Sequence, residues 1–408
     1  MVDPFPIKIT KSLSHTISIE QFGLYAISIT VRCQGKWFFG LRKEQNLRLE
    51  INGTKFREIP PEKNTQLWKI PPAWNGIELK GLSKTVVLLL PLNVKDYTFT
   101  FFAEPEATIE KFTYKLLLDL RNITFDLNEQ AEDGDRRPWY TFSFIDLPLL
   151  ALKADISTQW HFLDGDDVKL IIDNRIKPNP ESKKHHDWVW SAKPALFSKP
   201  KREEKTFTEN LPAGVHYLEF WADKNPTLHK VSFDLGDFIP KRTPTVKDPE
   251  WTGDFGDDTD QMILARLIFG EARNQSSEAM IGVAWTVKNR LQAKRKYFGF
   301  NYHEIIQKND GRYYQFSSFN PAEEDNFPLL IHPLKNNNEV DRQKWLTSYE
   351  VAGQVISDKI QDPTQGATCF HSQDLSQEKF VTKSVPGAIY LKTIGSFLFY
   401  QDPNEIKK

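Results

Sequence analysis

The sequence predicts a multidomain protein: two tandem all-β, sandwich-like modules followed by an α+β domain. Three features carry that expectation. Over the first 240 residues, apolar residues recur at every second position in short runs broken by turn formers, as in strands with one buried face. That stretch then matches itself at a separation of about 120 residues. Beyond residue 258 the period becomes helical before short aromatic strands return. The length of 408 residues suits this division, at roughly 100–200 residues per domain.

The period-2 runs are Ile27–Val31, Leu47–Ile51, Tyr97–Phe101 and Phe112–Leu116. The repeat aligns Leu47-Arg-Leu-Glu-Ile-Asn-Gly53 with Val168-Lys-Leu-Ile-Ile-Asp-Asn174, and the Leu90-Pro91 step with Leu211-Pro212. Its best-matched stretch is Phe101-Phe-Ala-Glu104 with Thr108 and Lys111, against Phe220-Trp-Ala-Asp223 with Thr227 and Lys230. The order of matches is kept, which places the modules at 1–122 and 123–240. The segment Lys177–Lys205 carries Pro178, Pro180, Pro194 and Pro200 and is expected as an exposed loop, because proline has no N–H for a strand ladder.

Residues 241–257 lack any sustained period and carry turn formers, the marks of a linker. The third domain is placed at 258–402. Asp258 or Thr259 can cap a helix through Met262–Phe269, apolar nearly all round apart from Arg266 and so expected to be buried. A second helix is expected from Ser276 to Leu291. A third, from Asp341 to Ile360, puts Trp345, Tyr349, Ala352 and Ile356 on one stripe and stops before Asp362-Pro363. Residues 366–400 read as short aromatic strands.

Composition excludes several classes of function. Lys and Arg number 53 against 54 Asp and Glu, a net charge of -1, so the excess of cations that nucleic-acid binding requires is missing. No apolar run approaches the roughly 20 residues of a membrane span. Two cysteines, Cys33 and Cys369, lie far apart, which excludes a disulfide framework and predicts buried thiols. His185-His186 has no further ligands at metal-site spacing and no phosphate loop occurs, so neither a metal nor another cofactor is expected. The start lacks a basic stretch followed by an apolar one, so standard secretion is not expected.

The position that carries chemistry is Glu271, in Ile268-Phe-Gly-Glu-Ala-Arg273. Gly270 costs about 1 kcal/mol in a helix relative to alanine, so it marks a helix end or the close approach of another group. A carboxyl after so apolar a helix resists ionisation, the condition for a general acid near neutrality. The alternative reading of the residues is a structural ion pair between Glu271 and Arg273 or Arg266.

Leu264-Ala-Arg-Leu-Ile-Phe-Gly-Glu-Ala-Arg273 and Ile281-Gly-Val-Ala-Trp-Thr-Val-Lys-Asn-Arg-Leu291 together resemble the opening of the SleB-like, spore cortex-lytic family of cell-wall hydrolases. Gln315-Phe-Ser317, the Gly366-Ala367 step and Thr393-Ile-Gly-Ser-Phe-Leu-Phe-Tyr400 are similar to its later blocks, in the same order. The resemblance covers most of the last 150 residues. It implies a peptidoglycan-degrading enzyme that cuts the glycan strand between N-acetylmuramic acid and N-acetylglucosamine, commonly as a lytic transglycosylase with one essential glutamate. That glutamate corresponds to Glu271, which would protonate the glycosidic oxygen and then deprotonate the muramoyl C6 hydroxyl to close a 1,6-anhydro ring.

On that resemblance the substrate-binding set is Arg273, Tyr313, Gln315, Ser317, His371 and Tyr400. A hydrolytic muramidase would need a second carboxylate, for which Asp310, Glu323, Glu324 and Asp325 are candidates. The run Glu323–Asp325 reads first as a solvated patch, and Asp310-Gly311 as a turn. A non-catalytic wall-binding protein keeping the hydrolase fold is the reading from another class. Residues 1–240 are expected either to bind wall glycan through aromatics such as Trp188, Trp190 or Trp37–Phe39, or to dock the enzyme on a protein partner. The enzyme would reach the wall by non-classical export, by assembly into a larger particle, or by lysis.

Overall fold

The computed structural model describes residues 5–35, 44–56, 69–161, 164–181, 185–194, 199–311, 313–336 and 338–405. Trp37–Phe39 lie outside them. The chain separates into two compact units, one of residues 1–92 with 96–241, the other of residues 93–95 with 242–408. The first is mostly β and the second mostly helical.

The first half of the β unit contains β1 (Ile7–Ile9), β2 (Ser12–Ser18), β3 (Gly23–Arg32), β4 (Asn46–Ile51), β5 (Thr54–Lys55) and β6 (Trp74–Asn75). A one-turn helix α1 (Gly76–Leu79) leads to β7 (Ser83–Leu92), β8 (Asp96–Glu104) and β9 (Ala107–Leu117). The second half contains β10 (Ile123–Gln130), β11 (Arg137–Thr158), β12 (Trp160–His161), β13 (Asp164–Gly165) and β14 (Asp167–Ile172). It continues with β15 (Arg175–Ile176), β16 (Trp190–Ser191), β17 (Lys201–Asp223) and β18 (Thr227–Asp234). All four period-2 runs lie in strands, and their apolar faces fill the core: Leu47, Phe99 and Phe101 are 0–3% exposed with Leu49.

The internal repeat is visible as repeated pairing. β4 pairs β8 with Leu47 opposite Ala103 and Leu49 opposite Phe101, while β14 pairs β17 with Val168 opposite Ala222 and Leu170 opposite Phe220. Trp74 of β6 stands opposite Leu47, and Trp190 of β16 opposite Val168. Both tryptophans are fully buried, and each donates its indole N–H to a strand carbonyl, Trp74 to Lys84 and Trp190 to Glu203. β2 and β3 of the first half correspond to the two ends of the long β11, and β7 and β8 to the two ends of β17. The β2–β8 and β3–β7 pairings thus return as the far and near parts of one β11–β17 ladder.

The two halves nevertheless share a sheet. β7 pairs β11 in parallel, with Thr85 opposite Tyr140 and Leu89 opposite Phe144, so the order runs β1-β9-β3-β7-β11-β17-β14-β15. Two apolar clusters remain, one drawn from β3, β4, β7, β8 and β9, the other from β10, β11, β14, β17 and β18. Leu24, Ala26, Val87 and Leu89 of the first half belong to the second cluster, which ties the halves into one compact unit where the sequence suggested two independent modules. The expected loop 177–205 also differs: its prolines flank β16, which carries the buried Trp190, and β17 begins at Lys201. Trp188 is half-buried with the Lys169 ammonium over its ring. Cys33 and Cys369 are buried thiols not joined in a disulfide.

In the helical unit, α2 (Asp260–Ala272) starts where Thr259 caps the Met262 N–H, and Asp260 adds negative charge to its first turn. α3 (Ser277–Ala293) is capped by Ser276. α4 (Tyr302–Ile306), α5 (Phe327–Ile331), α6 (Glu339–Ile356) and α7 (Gln377–Lys379) follow. α6 ends at Ile356, short of the expected Ile360, with Trp345 and Ala352 of its stripe fully buried. β19 (Cys369–Ser372), β21 (Phe397–Gln401) and β20 (Ile389–Ile394) form a three-stranded sheet in the order β19-β21-β20.

Residues 242–257 are part of this unit, which corrects the expected linker. Arg266 is fully buried in the middle of α2, where helix backbone offers its guanidinium nothing. Asp258 accepts from its Nε at 2.7 Å, the Pro249 carbonyl from Nη2 at 2.7 Å and the Leu330 carbonyl from Nη1 at 2.7 Å. The aperiodic segment is therefore a strap that satisfies a buried cation. Trp345 also donates to the Val246 carbonyl, and the Trp251 and Phe255 rings pack tilted against each other at 5.1 Å. No helix among the described residues is long and apolar enough to cross a membrane.

Candidate functional site

Glu271 occupies the last turn of α2, half-buried. Its Oε1 accepts the Ser318 backbone N–H at 3.0 Å. Ser318 belongs to the 3₁₀ turn Ser317–Phe319, which lies directly against the helix end. Gly270 is what permits the approach: a Cβ there would stand 2.7 Å from Ser318 Cβ and 2.9 Å from its Oγ. The helix runs on through Gly270, so the glycine reflects close packing and not a helix end.

Burial is the largest influence on this carboxyl and pushes its pKa up. The Ser318 N–H and the hydroxyls of Ser318 and Ser317 oppose that shift by favouring the charged form, while the charge of Glu323 adds to it. The position at a helix C-terminus acts in the same direction as burial, because the carbonyl ends of the helix repel an anion. The Ser318 hydroxyl is fully buried and makes no hydrogen bond of good geometry in this structure, so the backbone N–H is the firm contact and the hydroxyl acts on the carboxyl from a looser position.

No cation pairs with Glu271 among the described residues, which removes the ion-pair reading. Arg266 belongs to Asp258, and Arg273 donates to Asn326 Oδ1 at 2.7 Å and to the Gly270 carbonyl at 3.3 Å. Arg273 thereby ties the end of α2 to the start of α5. Of the four candidate second carboxylates, Glu323 is the one whose charge reaches Glu271; it is half-buried, whereas Glu324 and Asp325 are exposed. Asp310 sits in an exposed turn, accepting the Tyr313 N–H.

The other residues divide into two groups. Ser317 adjoins Glu271, and Gln315 is exposed two residues before it, its side-chain carbonyl held by Arg290 at 3.3 Å. Arg290 in turn stacks on Phe316 and donates to the Thr368 carbonyl. Tyr313 is 74% exposed. His371 and Tyr400 are different: they are 5% and 0% exposed, stack on each other with a 3.1 Å bond between Nε2 and the phenol, and pack against Phe380. They form a buried aromatic cluster in which both His371 nitrogens are engaged, Nδ1 with the Ser372 carbonyl and Nε2 with the Tyr400 phenol. The sequence reading missed Ser318, Asn326 and the reach of Glu323. The one signal for them was Gly270, which announces a close neighbour without naming it.

Residues 274–400 match the model of the Cell Wall Hydrolase family, Hydrolase_2. The C-terminal part of the chain is a SleB-type cell wall hydrolase domain. The match to this hydrolase domain begins three residues past Glu271, so the glutamate stands just before the matched span. No curated protein matches the chain. Among solved structures, similarity extends to dimeric latent PorU from Porphyromonas gingivalis, 10% identical, over 56% of this chain and 20% of that one, with a TM-score of 0.17. T=1 particles derived from infectious bursal virus are 8% identical over 57% of this chain and 71% of that one, with a TM-score of 0.16. The chain thus spans a fifth of PorU, and neither likeness is close enough to support an argument about fold or function.

Proposed function

We propose that the hydrolase domain degrades peptidoglycan by cutting the glycosidic bond between N-acetylmuramic acid and N-acetylglucosamine as a lytic transglycosylase, with Glu271 as its single acid and base. The observation that carries this reading is the state of that carboxyl: partly accessible, without a cation, and biased by burial toward the protonated form. Because Oε1 accepts the Ser318 N–H, Oε2 would carry the proton of the neutral acid. Oε2 would give that proton to the bridging oxygen as the bond to the muramoyl C1 breaks and an oxocarbenium-like centre develops. The resulting carboxylate, steadied by the Ser318 N–H and the two serine hydroxyls, would take the proton from the C6 hydroxyl as its oxygen attacks C1. Ser317, Gln315, Arg273 and Tyr313 are the residues proposed to line the sugar path.

One observation favours a second reading. Glu323 is close enough to influence Glu271, and a carboxylate there suits the water-activating role of a hydrolytic muramidase. Mass spectrometry of the products released from purified sacculi separates the two. Anhydro-muropeptides are expected, and reducing muropeptides would assign the hydrolytic route. Glu271→Gln is expected to abolish release, and an active Gln variant would remove Glu271 from the mechanism.

The β unit is proposed to bring the hydrolase domain to the wall, by binding glycan or by docking on a protein partner. The site of action is proposed to be the cell wall, reached by non-classical export, by assembly into a larger particle, or by lysis. Residues 1–240 co-sediment with peptidoglycan on the first alternative and stay in solution on the second.

A further inference from the structure

The β unit contains a cavity of about 450 Å³ where its two halves meet, lined among others by Lys69 and Glu78 from the first half and by Asn174, Glu219 and Trp221 from the second. That volume lies within the roughly 300–1,000 Å³ of small-molecule sites. Glu219 and Trp221 alternate on β17, so they project from the same face, and the indole N–H donates to Glu219 Oε2 at 3.2 Å. This bond uses the one polar atom of the indole and leaves its ring face as the apolar surface presented to the cavity.

The internal repeat supplies a control within the molecule. Trp221 pairs across the ladder with Lys169, as Phe102 does with Arg48 in the first half. Arg48 lies over the Phe102 ring at 4.1 Å and covers it. Lys169 lies over Trp188 instead, at 4.9 Å, and among the described residues no cation covers Trp221. The second copy has thus diverted the lid of the first and kept a larger ring, half-exposed, at the cavity.

Charge decides what kind of ligand suits the site. Two carboxylates, Glu78 and Glu219, face two ammonium groups, Lys69 at the cavity and the buried Lys84 behind it. Lys84 donates to the carbonyls of Pro71 and Ala73 at 2.6 and 2.8 Å, which fixes it as a counter-charge for both glutamates. The balance is near neutral, so it selects for neither a cation nor an anion. Burial pushes both carboxyls' pKa up, consistent with a site that works through hydrogen bonds. Thr141, directly across from Glu219, buries its hydroxyl without a partner, and so the wall behind Glu219 is polar too.

We propose that this cavity binds one neutral pyranose unit of a glycan, with an apolar sugar face on Trp221, hydroxyls donating to Glu78 and Glu219, and an acetamido carbonyl accepting from Lys69 or Asn174. The proposal deepens the wall-targeting reading and rests on it only for the acetamido group. It makes the β unit a lectin-like arm whose site lies between its repeated halves.

The test uses the full chain carrying Glu271→Gln, so that sugar is bound and not cut, titrated calorimetrically with chitotetraose. A class of sites is expected that weakens at least tenfold, about 1.4 kcal/mol, in Glu271→Gln/Trp221→Ala and comparably in Glu271→Gln/Glu78→Gln, with unchanged thermal midpoints. Isotherms identical to those of the single variant would overturn the site. Equal affinity for maltotetraose would overturn the acetamido contact, and stronger binding of cadaverine would overturn the neutral ligand. Product formation from sacculi by the Trp221→Ala chain with Glu271 intact is read separately, so a failure of the catalytic reading leaves the binding result interpretable.

Discussion

Replacing Gly270 by alanine tests the contact on which the site depends. The new Cβ would lie 2.7 Å from Ser318 Cβ and 2.9 Å from its Oγ, where carbon atoms ordinarily sit about 3.5–4.0 Å apart. The turn Ser317–Phe319 must then retreat by about 1 Å, and the 3.0 Å bond from the Ser318 N–H to Glu271 lengthens with it. Two terms offset each other in stability. Alanine gains about 1 kcal/mol in helix propensity, and overpacking costs about 1–3 kcal/mol, so the thermal midpoint falls only slightly. Activity should fall further, by about 100-fold for a ~1 Å misplacement of a reacting group. The assay is muropeptide release from sacculi alongside a thermal melt. Ser318→Gly removes both clashing atoms while keeping the N–H, so the double variant should return to the rate of Ser318→Gly alone. A fully active Gly270→Ala, or losses that simply add in the double variant, would refute the reasoning.

Three further outcomes are expected. Glu323→Gln removes a negative charge that raises the Glu271 pKa, so the alkaline limb of the pH–rate profile, where a general acid is lost, should move to lower pH; an unmoved limb would show that Glu323 does not act on the acid. Asp258→Ala leaves the fully buried Arg266 unpaired and should destabilise the helical unit by about 3–5 kcal/mol in denaturant unfolding, whereas a loss under about 1 kcal/mol would mean the carbonyls of Pro249 and Leu330 suffice. Tyr400→Phe deletes the bond to His371 inside a buried cluster, so it should cost about 1 kcal/mol of stability and leave the release rate unchanged; a large rate loss would return Tyr400 to the substrate path.

Several elements were legible before any coordinates. Thr259 caps α2, the second helix starts beside Ser276, the stripe through Trp345 and Ala352 is buried, and the four alternating runs are strands. The repeat was legible too, and the paired tryptophans Trp74 and Trp190 extend it beyond the matched motifs. Other features were not legible, for one shared reason. The segment before α2 looks like a linker because a strap has no period, yet it binds Arg266. His371 and Tyr400 lie in a matched block, but their burial depends on Phe380 and on the neighbouring strand. Glu323 reads as one of three surface acids, and what sets it apart is that its charge reaches Glu271.

What the sequence determined by itself is whatever closes within a few residues: a cap, an alternation, a stripe, an apolar helix that holds a glutamate, and a duplicated pattern of strands. The tertiary structure decided which groups meet across long separations. It placed the Ser318 N–H on Glu271, Arg273 on Asn326, and β7 beside β11 so that two repeats became one unit. The reason is physical. Local structure follows from backbone geometry and nearest neighbours, whereas a carboxyl's proton affinity and a ring's exposure follow from the burial and charges that distant segments bring to it.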